Sequence, residues 1–246
     1  MADRPYTILS CAVSLDGYLD DATGTRLVLS NDADLDRVDD VRAGCDAILV
    51  GAGTIRADDP RLLVRSERRR ADRVVAGLPG SPCKVTVTRH PGLDPGARFF
   101  ADDGVGKLVY CSSAATHRAR SRLGDRALVV DAGPRPTMRA VSEDLGRRGV
   151  RRLLVEGGQQ VHTQFLAEDL ADELHLVLAP IFVGDSHAHR LVADGPLPWN
   201  REHRARLAEV RRIGDVVLMR YALSARCDRD EAAATAAAQR LLGVRP

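Results

Sequence analysis

The chain has 246 residues, of which 44% are hydrophobic and 28% are charged, a balance that is typical of a folded globular protein and argues against disorder. Its 36 basic and 34 acidic side chains are interspersed and give a formal net charge of +2, so no strong field favours nucleic acid or a membrane surface as a partner. No apolar run approaches the roughly 20 residues of a membrane span. The five widely spaced cysteines indicate reduced thiols, so we expect a cytoplasmic protein.

Short apolar runs bounded by turn residues predict strands, and segments of helical character lie between them. The predicted strands are 6–13, 47–50, 83–87, 107–111, 127–130, 152–155 and 173–178, and the predicted helices are 32–43, 114–123, 136–148 and 159–166. This alternation predicts an α/β fold with a mostly parallel central sheet flanked by helices.

The last third of the chain has a different pattern. Residues 205–212 and 216–222 flank a turn at Gly214-Asp215, which predicts a C-terminal antiparallel hairpin. Long loops are predicted at 66–81 and 185–201, and the alanine-rich stretch 228–242 favours a helix by propensity. We therefore expect one domain over 1–223 and an appended helical tail over 224–246.

One sequence carries the clearest ligand signal. The apolar run 152–155 stops on Glu156 and turns through Gly157 and Gly158 into a predicted helix. The N–H groups that open a helix have no intrahelical partners and carry the positive end of its dipole, and glycine lets an anion approach them closely. The sequence predicts a phosphate cradle with a carboxylate at its rim.

Two other turns follow predicted strands. Gly51-Ala52-Gly53-Thr54 is equally compatible with a structural turn and a ligand loop. It is not the dinucleotide fingerprint, because Arg56 stands where the third glycine belongs and no acidic residue ends a second strand about 20 residues on, which disfavours a Rossmann dehydrogenase. Ser14-Leu15-Asp16-Gly17 has turn chemistry, and most such Asp-Gly pairs are only turns, but its place at a strand exit adds weight to a ligand role.

Several chemistries lack their sequence signals. The chain has no P-loop, no G-x-S-x-G elbow and no cysteine beside a local base. We expect no metal site, since the segment 185–189, with His187 and His189, lacks a third ligand at recognisable spacing. His162 is interpreted as a helix-surface or packing residue, and Arg68-Arg69-Arg70 as a solvated loop. What remains is a scaffold that orients a cofactor.

Four motifs occur together in one order: Ala-Val-Ser-Leu-Asp-Gly at 12–17, the segment 46–60 with its Gly-Ala-Gly-Thr and Ala-Asp-Asp-Pro, Val-Glu-Gly-Gly at 155–158, and the segment 171–184. From about Pro5 to Leu223 the chain resembles the reductase domain of the bifunctional riboflavin-biosynthesis protein RibD, which has a dihydrofolate-reductase-like fold. The set of motifs is far more specific than any one of them.

The resemblance implies an NADPH-dependent reductase and a homodimer. Hydride would pass to the ribose C1′ of 5-amino-6-(5-phosphoribosylamino)uracil and give the ribitylamino product. The residues implied for NADPH are Thr54, Asp58, Gly157, Gly158, Gln159, Gln160, Val161 and Gln164, and those implied for the substrate are Arg42, Leu62, Arg65 and Glu156. Asp58 and Glu156 are the candidate catalytic groups, although Asp58 is equally compatible with a helix or turn cap. Thr88 and Arg89, after the predicted strand 83–87, are candidate donors for a 2′-phosphate.

The chain also departs from the family pattern. Arg26 and Val28 stand where a substrate-contacting serine and a cofactor-contacting tryptophan are often found, which leaves open another pterin-like or pyrimidine substrate. The chain starts at the reductase region and has no C-x-x-C, so we expect deamination to be supplied from elsewhere. A non-catalytic NADPH-binding protein is the remaining alternative.

Overall fold

The computed structural model describes residues 4–23 and 27–228. Within these ranges nine strands form one sheet in the order β5-β4-β3-β2-β6-β1-β7-β9-β8. The strands are β1 (Tyr6–Val13), β2 (Ala47–Gly51), β3 (Cys83–Thr88), β4 (Lys107–Cys111), β5 (Leu128–Asp131), β6 (Arg152–Val155), β7 (Glu173–Leu178), β8 (Arg206–Ile213) and β9 (Val216–Ala222). Strands β1 to β7 pair in parallel, whereas β9 runs antiparallel to both β7 and β8. The predicted fold class, including the terminal hairpin, is confirmed.

Helices cover both faces of this sheet. They are α1 (Asp32–Ala43), α2 (Ala52–Asp58), α3 (Glu67–Val75), α4 (Ser113–Leu123), α5 (Met138–Arg147) and α6 (Gln159–Ala167), with short 3-10 turns at Arg98–Phe100 and Gly124–Arg126. Apolar residues of α1, α2 and α4 pack in one core, and those of α5 and α6 pack in the other. Strand β2 is buried along its whole length, which explains why it reads as a continuous apolar run. None of the described helices is both long enough and apolar enough to cross a membrane.

The predicted loop 66–81 is wrong, because it contains α3. Ser66 caps this helix by accepting from the Arg69 N–H. The helix has no apolar stripe for a periodicity analysis to detect; its contacts are polar. Arg69 pairs with carboxylates of α1, including Asp39 at 3.1 Å, and the buried Arg73 donates to the Cys45 carbonyl at 2.8 Å. The interpretation of Arg68–Arg70 as a solvated loop is therefore also wrong.

Helix α2 was not expected either, since seven residues are too few for a periodic pattern. It follows Gly51 directly and is capped at its C-terminus by Asp59, whose φ of 41° is left-handed. The segment 185–201 has no helix or strand, as predicted. Arg26 and the alanine-rich stretch from 229 lie outside the described residues, so the domain and tail bounds stay predictions.

The short strand β6 creates the opening that matters for function. It ends at Val155, opposite Leu9 of β1 and Leu49 of β2, and both neighbours continue beyond that point. Helix α1, which follows β1, packs on one face of the sheet, and helix α6, which follows β6, packs on the other. The connections that leave these two adjacent strands therefore diverge at this gap. Open α/β sheets bind ligands where the strand connections diverge in this way.

Candidate active site

A cavity of about 860 Å³ lies at this point. That volume is in the range of small-molecule sites. Most of the residues singled out from the sequence line it: Arg42, Thr54, Asp58, Thr88, Arg89, Glu156, Gly157, Gly158, Gln159, Gln160, Val161 and Gln164. Leu62 and Arg65 are not among the lining residues. Leu62 is buried, and the Arg65 guanidinium donates to the Leu35 carbonyl at 2.6 Å.

One side of the cavity, which we call the α6 wall, consists of Gly157, Gly158 and the first turn of α6. Gly157 has a φ of 119°, and a Cβ there would lie 3.3 Å from Nε2 of His162. The Gly158 N–H donates to Oγ1 of Thr54 at 3.2 Å and so ties α2 to this turn. No acidic residue lies in the first turn of α6, so its N–H groups can receive an anion.

A second part of the lining, which we call the α1 wall, consists of charged side chains: Asp34, Arg37 and Arg42 of α1, with Glu156. Arg42 donates to both carboxylate oxygens of Glu156, at 2.7 and 2.6 Å, and to the Leu63 carbonyl at 3.1 Å. Burial would lower the pKa of Arg42, but the adjacent Glu156 carboxylate outweighs it and raises the pKa. Two of the four residues implied for substrate binding, Arg42 and Glu156, are thus partners of each other.

Sequence reasoning missed Asp34 and Arg37. The Arg37 Nε donates to Oδ1 of Asp34 at 2.7 Å, and its Nη1 lies 3.3 Å from Nδ1 of His175. A signal was present for Asp34 alone, because residues 34, 38 and 42 recur every four positions and so share one face of a helix, whereas Arg37 is outside that series.

Cationic side chains lie at another part of the cavity. Arg56 and Arg89 line it and are exposed to solvent, as is His90. The Thr88 hydroxyl donates to the His90 carbonyl at 2.7 Å and fixes the turn that carries Arg89. Asp58 lines the cavity at the last position of α2.

His162 is fully buried, so the structure decides for packing over a helix-surface position. Neither of its ring nitrogens has a hydrogen-bond partner. Burial lowers its pKa to about 4, so the imidazole is neutral at neutral pH.

The Ser14–Gly17 motif has a structural role. The Asp16 carboxylate accepts from the Ser14 hydroxyl at 2.5 Å and from the N–H of Gly184 at 2.8 Å. These bonds lower its pKa to about 2 and join two loops. Among the described residues, no three His, Cys, Asp or Glu side chains form a group that could hold a metal ion.

The RibD C-terminal domain model matches residues 5–219. The chain belongs to the RibD C-terminal domain family. It is 34% identical over 229 residues to the 2,5-diamino-6-ribosylamino-4(3H)-pyrimidinone 5′-phosphate reductase of Archaeoglobus fulgidus, covering 92% of this chain and 100% of the relative. It is 37% identical over 190 residues to the protein of the same name from Methanothermobacter thermautotrophicus, covering 77% and 84%.

The solved structure of a pyrimidine reductase-like protein from Corynebacterium diphtheriae has the same fold. Its TM-score is 0.77 at 21% identity, with 89% of this chain and 91% of the other covered. These comparisons confirm the resemblance read from the four motifs, and the chain is an oxidoreductase. In this member of the RibD C-terminal domain family, the α6 wall provides main-chain N–H groups that can bind an anion, and the α1 wall provides paired charged side chains.

Proposed function

We propose that this protein is the NADPH-dependent reductase of riboflavin biosynthesis, reducing the ribose of a 6-(5-phosphoribosylamino)pyrimidine to a ribityl chain. The observation that carries the proposal is one cavity that joins the anion-receiving start of α6 to the Arg42–Glu156 pair. Two pyrimidines are in question. The motifs suggested 5-amino-6-(5-phosphoribosylamino)uracil, whereas the two archaeal relatives are named for the 2,5-diamino-4(3H)-pyrimidinone.

The α6 wall fits a dinucleotide pyrophosphate. Side chains at Gly157 and Gly158 would crowd the residues around the cradle, since Cβ atoms there would lie 3.3 Å from Nε2 of His162 and 3.2 Å from Oγ1 of Thr54. The residues that would hold NADPH are Thr54, Asp58, Thr88, Arg89, Gly157, Gly158, Gln159, Gln160, Val161 and Gln164. When bound, NADPH supplies the hydride that C1′ receives once the sugar has opened to an imine or its equivalent.

Glu156 is suited to hold the sugar. Each carboxylate oxygen has two acceptor sites, and Arg42 takes one on each. The remaining sites can accept a sugar hydroxyl or the forming amine N–H. The bidentate grip fixes the carboxylate, and such positioning can contribute several kcal/mol to a reaction that needs little acid–base assistance. Arg65 and Leu62 lie outside the cavity lining and remain proposed substrate contacts, with Arg65 toward the phosphate.

A turnover assay tests the proposed function. Purified protein is expected to oxidise NADPH with either phosphoribosylamino-pyrimidine and to form the ribityl product. Glu156→Ala should abolish turnover while NADPH still binds, which would exclude the binding-only alternative. The proposal fails if neither pyrimidine is turned over while dihydrofolate or another heterocycle is.

Preference for NADPH is proposed to depend on Arg89. Arg89→Ala should raise the KM for NADPH about 10-fold and leave the KM for NADH unchanged, because one charge-assisted contact to the 2′-phosphate is lost. Arg118→Ala, an exposed arginine of α4 away from the cavity, is the control. An unchanged cofactor preference in Arg89→Ala would reject this role.

A homodimer and a cytoplasmic location are also proposed. The dimer rests on the family resemblance, and sedimentation equilibrium would test it. The location rests on the five cysteines, none of which forms a disulfide.

A further inference from the structure

Asp34 is an acceptor in the cavity wall with an unused oxygen. It lies in the first turn of α1, lines the cavity and is only 1% exposed. Its Oδ1 accepts from Arg37, but Oδ2 has no hydrogen-bond partner. An unsatisfied buried polar atom costs about 1–3 kcal/mol, and more when it is charged. The unbonded Oδ2 of Asp34 therefore indicates a ligand that donates a hydrogen bond to it.

Arg37 cannot easily serve the second oxygen. Its Nε is already bonded to Oδ1, and its Nη1 lies 3.3 Å from Nδ1 of His175. Oε1 of Glu173 lies 3.0 Å from the other ring nitrogen of His175, which makes no hydrogen bond. The guanidinium is therefore engaged through Nε and Nη1, and the buried Oδ2 of Asp34 is left without a donor among the described residues.

The wall around Asp34 suits a flat heterocycle. The small or apolar residues that line the same cavity include Ser10, Cys11, Ala12, Leu27, Leu29 and Val38, and Val38 lies one turn after Asp34 on α1. A planar ring seated among them would present one edge to the carboxylate.

We propose that Oδ2 of Asp34 accepts from the 2-amino group of a 2-amino-4(3H)-pyrimidinone and thereby selects this substrate over the corresponding uracil. The inference rests on the proposed function. The 2-amino group and the neighbouring N3–H are adjacent donors that face an acceptor. A uracil places a carbonyl oxygen at C2, so two acceptors would meet and both would lose hydration.

Comparing the two substrates in wild type and in Asp34→Asn tests the inference. Wild type should favour the 2-amino substrate by about 100-fold or more in kcat/KM, because sites built to bind a donor reject analogues that lack it. In Asp34→Asn the ratio should fall to within about 3-fold of unity, since an amide offers both a donor and an acceptor. An unchanged ratio in a folded Asp34→Asn would overturn the inference.

Asp39→Asn is the matched control. Asp39 is a second buried aspartate of α1, but both its oxygens are bonded, to the N–H groups of Arg65 and Ser66, and it does not line the cavity. This variant is expected to lose stability and to keep the substrate ratio.

Binding of base fragments separates this inference from the proposed function. Titration calorimetry with 2,5,6-triaminopyrimidin-4(3H)-one and 5,6-diaminouracil should show tighter binding of the first to wild type. Equal binding to wild type would overturn the inference even if no variant folds. Equal turnover of both full substrates would overturn it as well, although the proposed function would stand. Preferential binding of the triamino fragment without any turnover would support Asp34 and refute the proposed function.

Discussion

The two walls of the cavity use different parts of the chain. The α6 wall offers main-chain N–H groups from a glycine turn, and no acidic side chain lies in the first turn of its helix. The α1 wall offers carboxylates that are positioned by guanidinium groups. A main-chain wall is sensitive to added atoms, whereas a wall of paired charges is sensitive to the loss of one partner. The two walls should therefore fail in different ways.

Gly157→Ala should produce the largest effect. A non-glycine residue at a φ of 119° is strained by roughly 1–3 kcal/mol, and its Cβ would lie 3.3 Å from the enclosed His162 ring. We expect the Kd for NADPH to rise on the order of 100-fold, while fragments that bind at the α1 wall keep their affinity. Fluorescence titration with NADPH measures this.

Gly149→Ala is the control for that substitution, because Gly149 has a similar left-handed φ of 88°, a Cβ there would meet nothing within 4 Å, and the residue does not line the cavity. It should bind NADPH like wild type. If Gly157→Ala also did so, the α6 wall would not be the cofactor cradle.

Arg42→Met should have the second-largest effect, a decrease in the stability of the fold. Glu156 would lose its bidentate partner, and breaking a fully buried pair costs about 3–5 kcal/mol. The two side chains are 17% and 12% exposed, so we expect a smaller loss of about 2–3 kcal/mol in the free energy of unfolding, measured in urea.

The double variant Arg42→Met/Glu156→Leu sharpens the comparison. It removes both charges and should regain most of the lost stability but no activity, since the proposed sugar contact is gone. If Arg42→Met were as stable as wild type, the pair would not hold the α1 wall together.

His162 should produce a smaller and pH-dependent effect in the α6 wall. Its pKa is about 4 in the folded protein, below its ordinary value of about 6.5, so the unfolded chain binds more protons between these values. The stability contribution is complete above the unfolded pKa and is lost as pH falls. We expect the free energy of unfolding to drop by about 2 kcal/mol from this group between about pH 7.5 and pH 5.

His162→Leu removes the titrating imidazole and its two unpartnered ring nitrogens. The decrease in the free energy of unfolding at acid pH should therefore be absent in this variant. His117→Gln, at an exposed site of α4, should retain the wild-type pH slope. An identical slope in His162→Leu would contradict a buried neutral imidazole.

The sequence revealed the α6 wall better than the α1 wall for a physical reason. Glu156, Gly157 and Gly158 are adjacent in the chain, so one strand-to-helix turn predicts their arrangement. Arg42 and Glu156 are separated by 114 positions, and only the insertion of β6 between β1 and β2 brings them together. The unused oxygen of Asp34 depends on three-dimensional packing and has no local sequence signal.

The strands were predicted nearly to their observed ends because buried parallel strands are continuous apolar runs. Helices α2 and α3 were missed because one is too short and the other too charged to show an apolar stripe. Arg65 illustrates a third limit. It lies close in sequence to the second glycine turn, yet its guanidinium is taken by the Leu35 carbonyl.

The early end of β6 has a further consequence. Beyond Leu9, β1 pairs with β7 on one side only, and its residues Ser10, Cys11 and Ala12 border the cavity on the other. The main-chain N–H and C=O groups along that border are present whichever side chains the residues carry. Substitutions there can reshape the cavity over evolutionary time without removing its hydrogen-bonding frame. A strand that ends early thus leaves a binding site whose ligand specificity can change while the sheet is preserved.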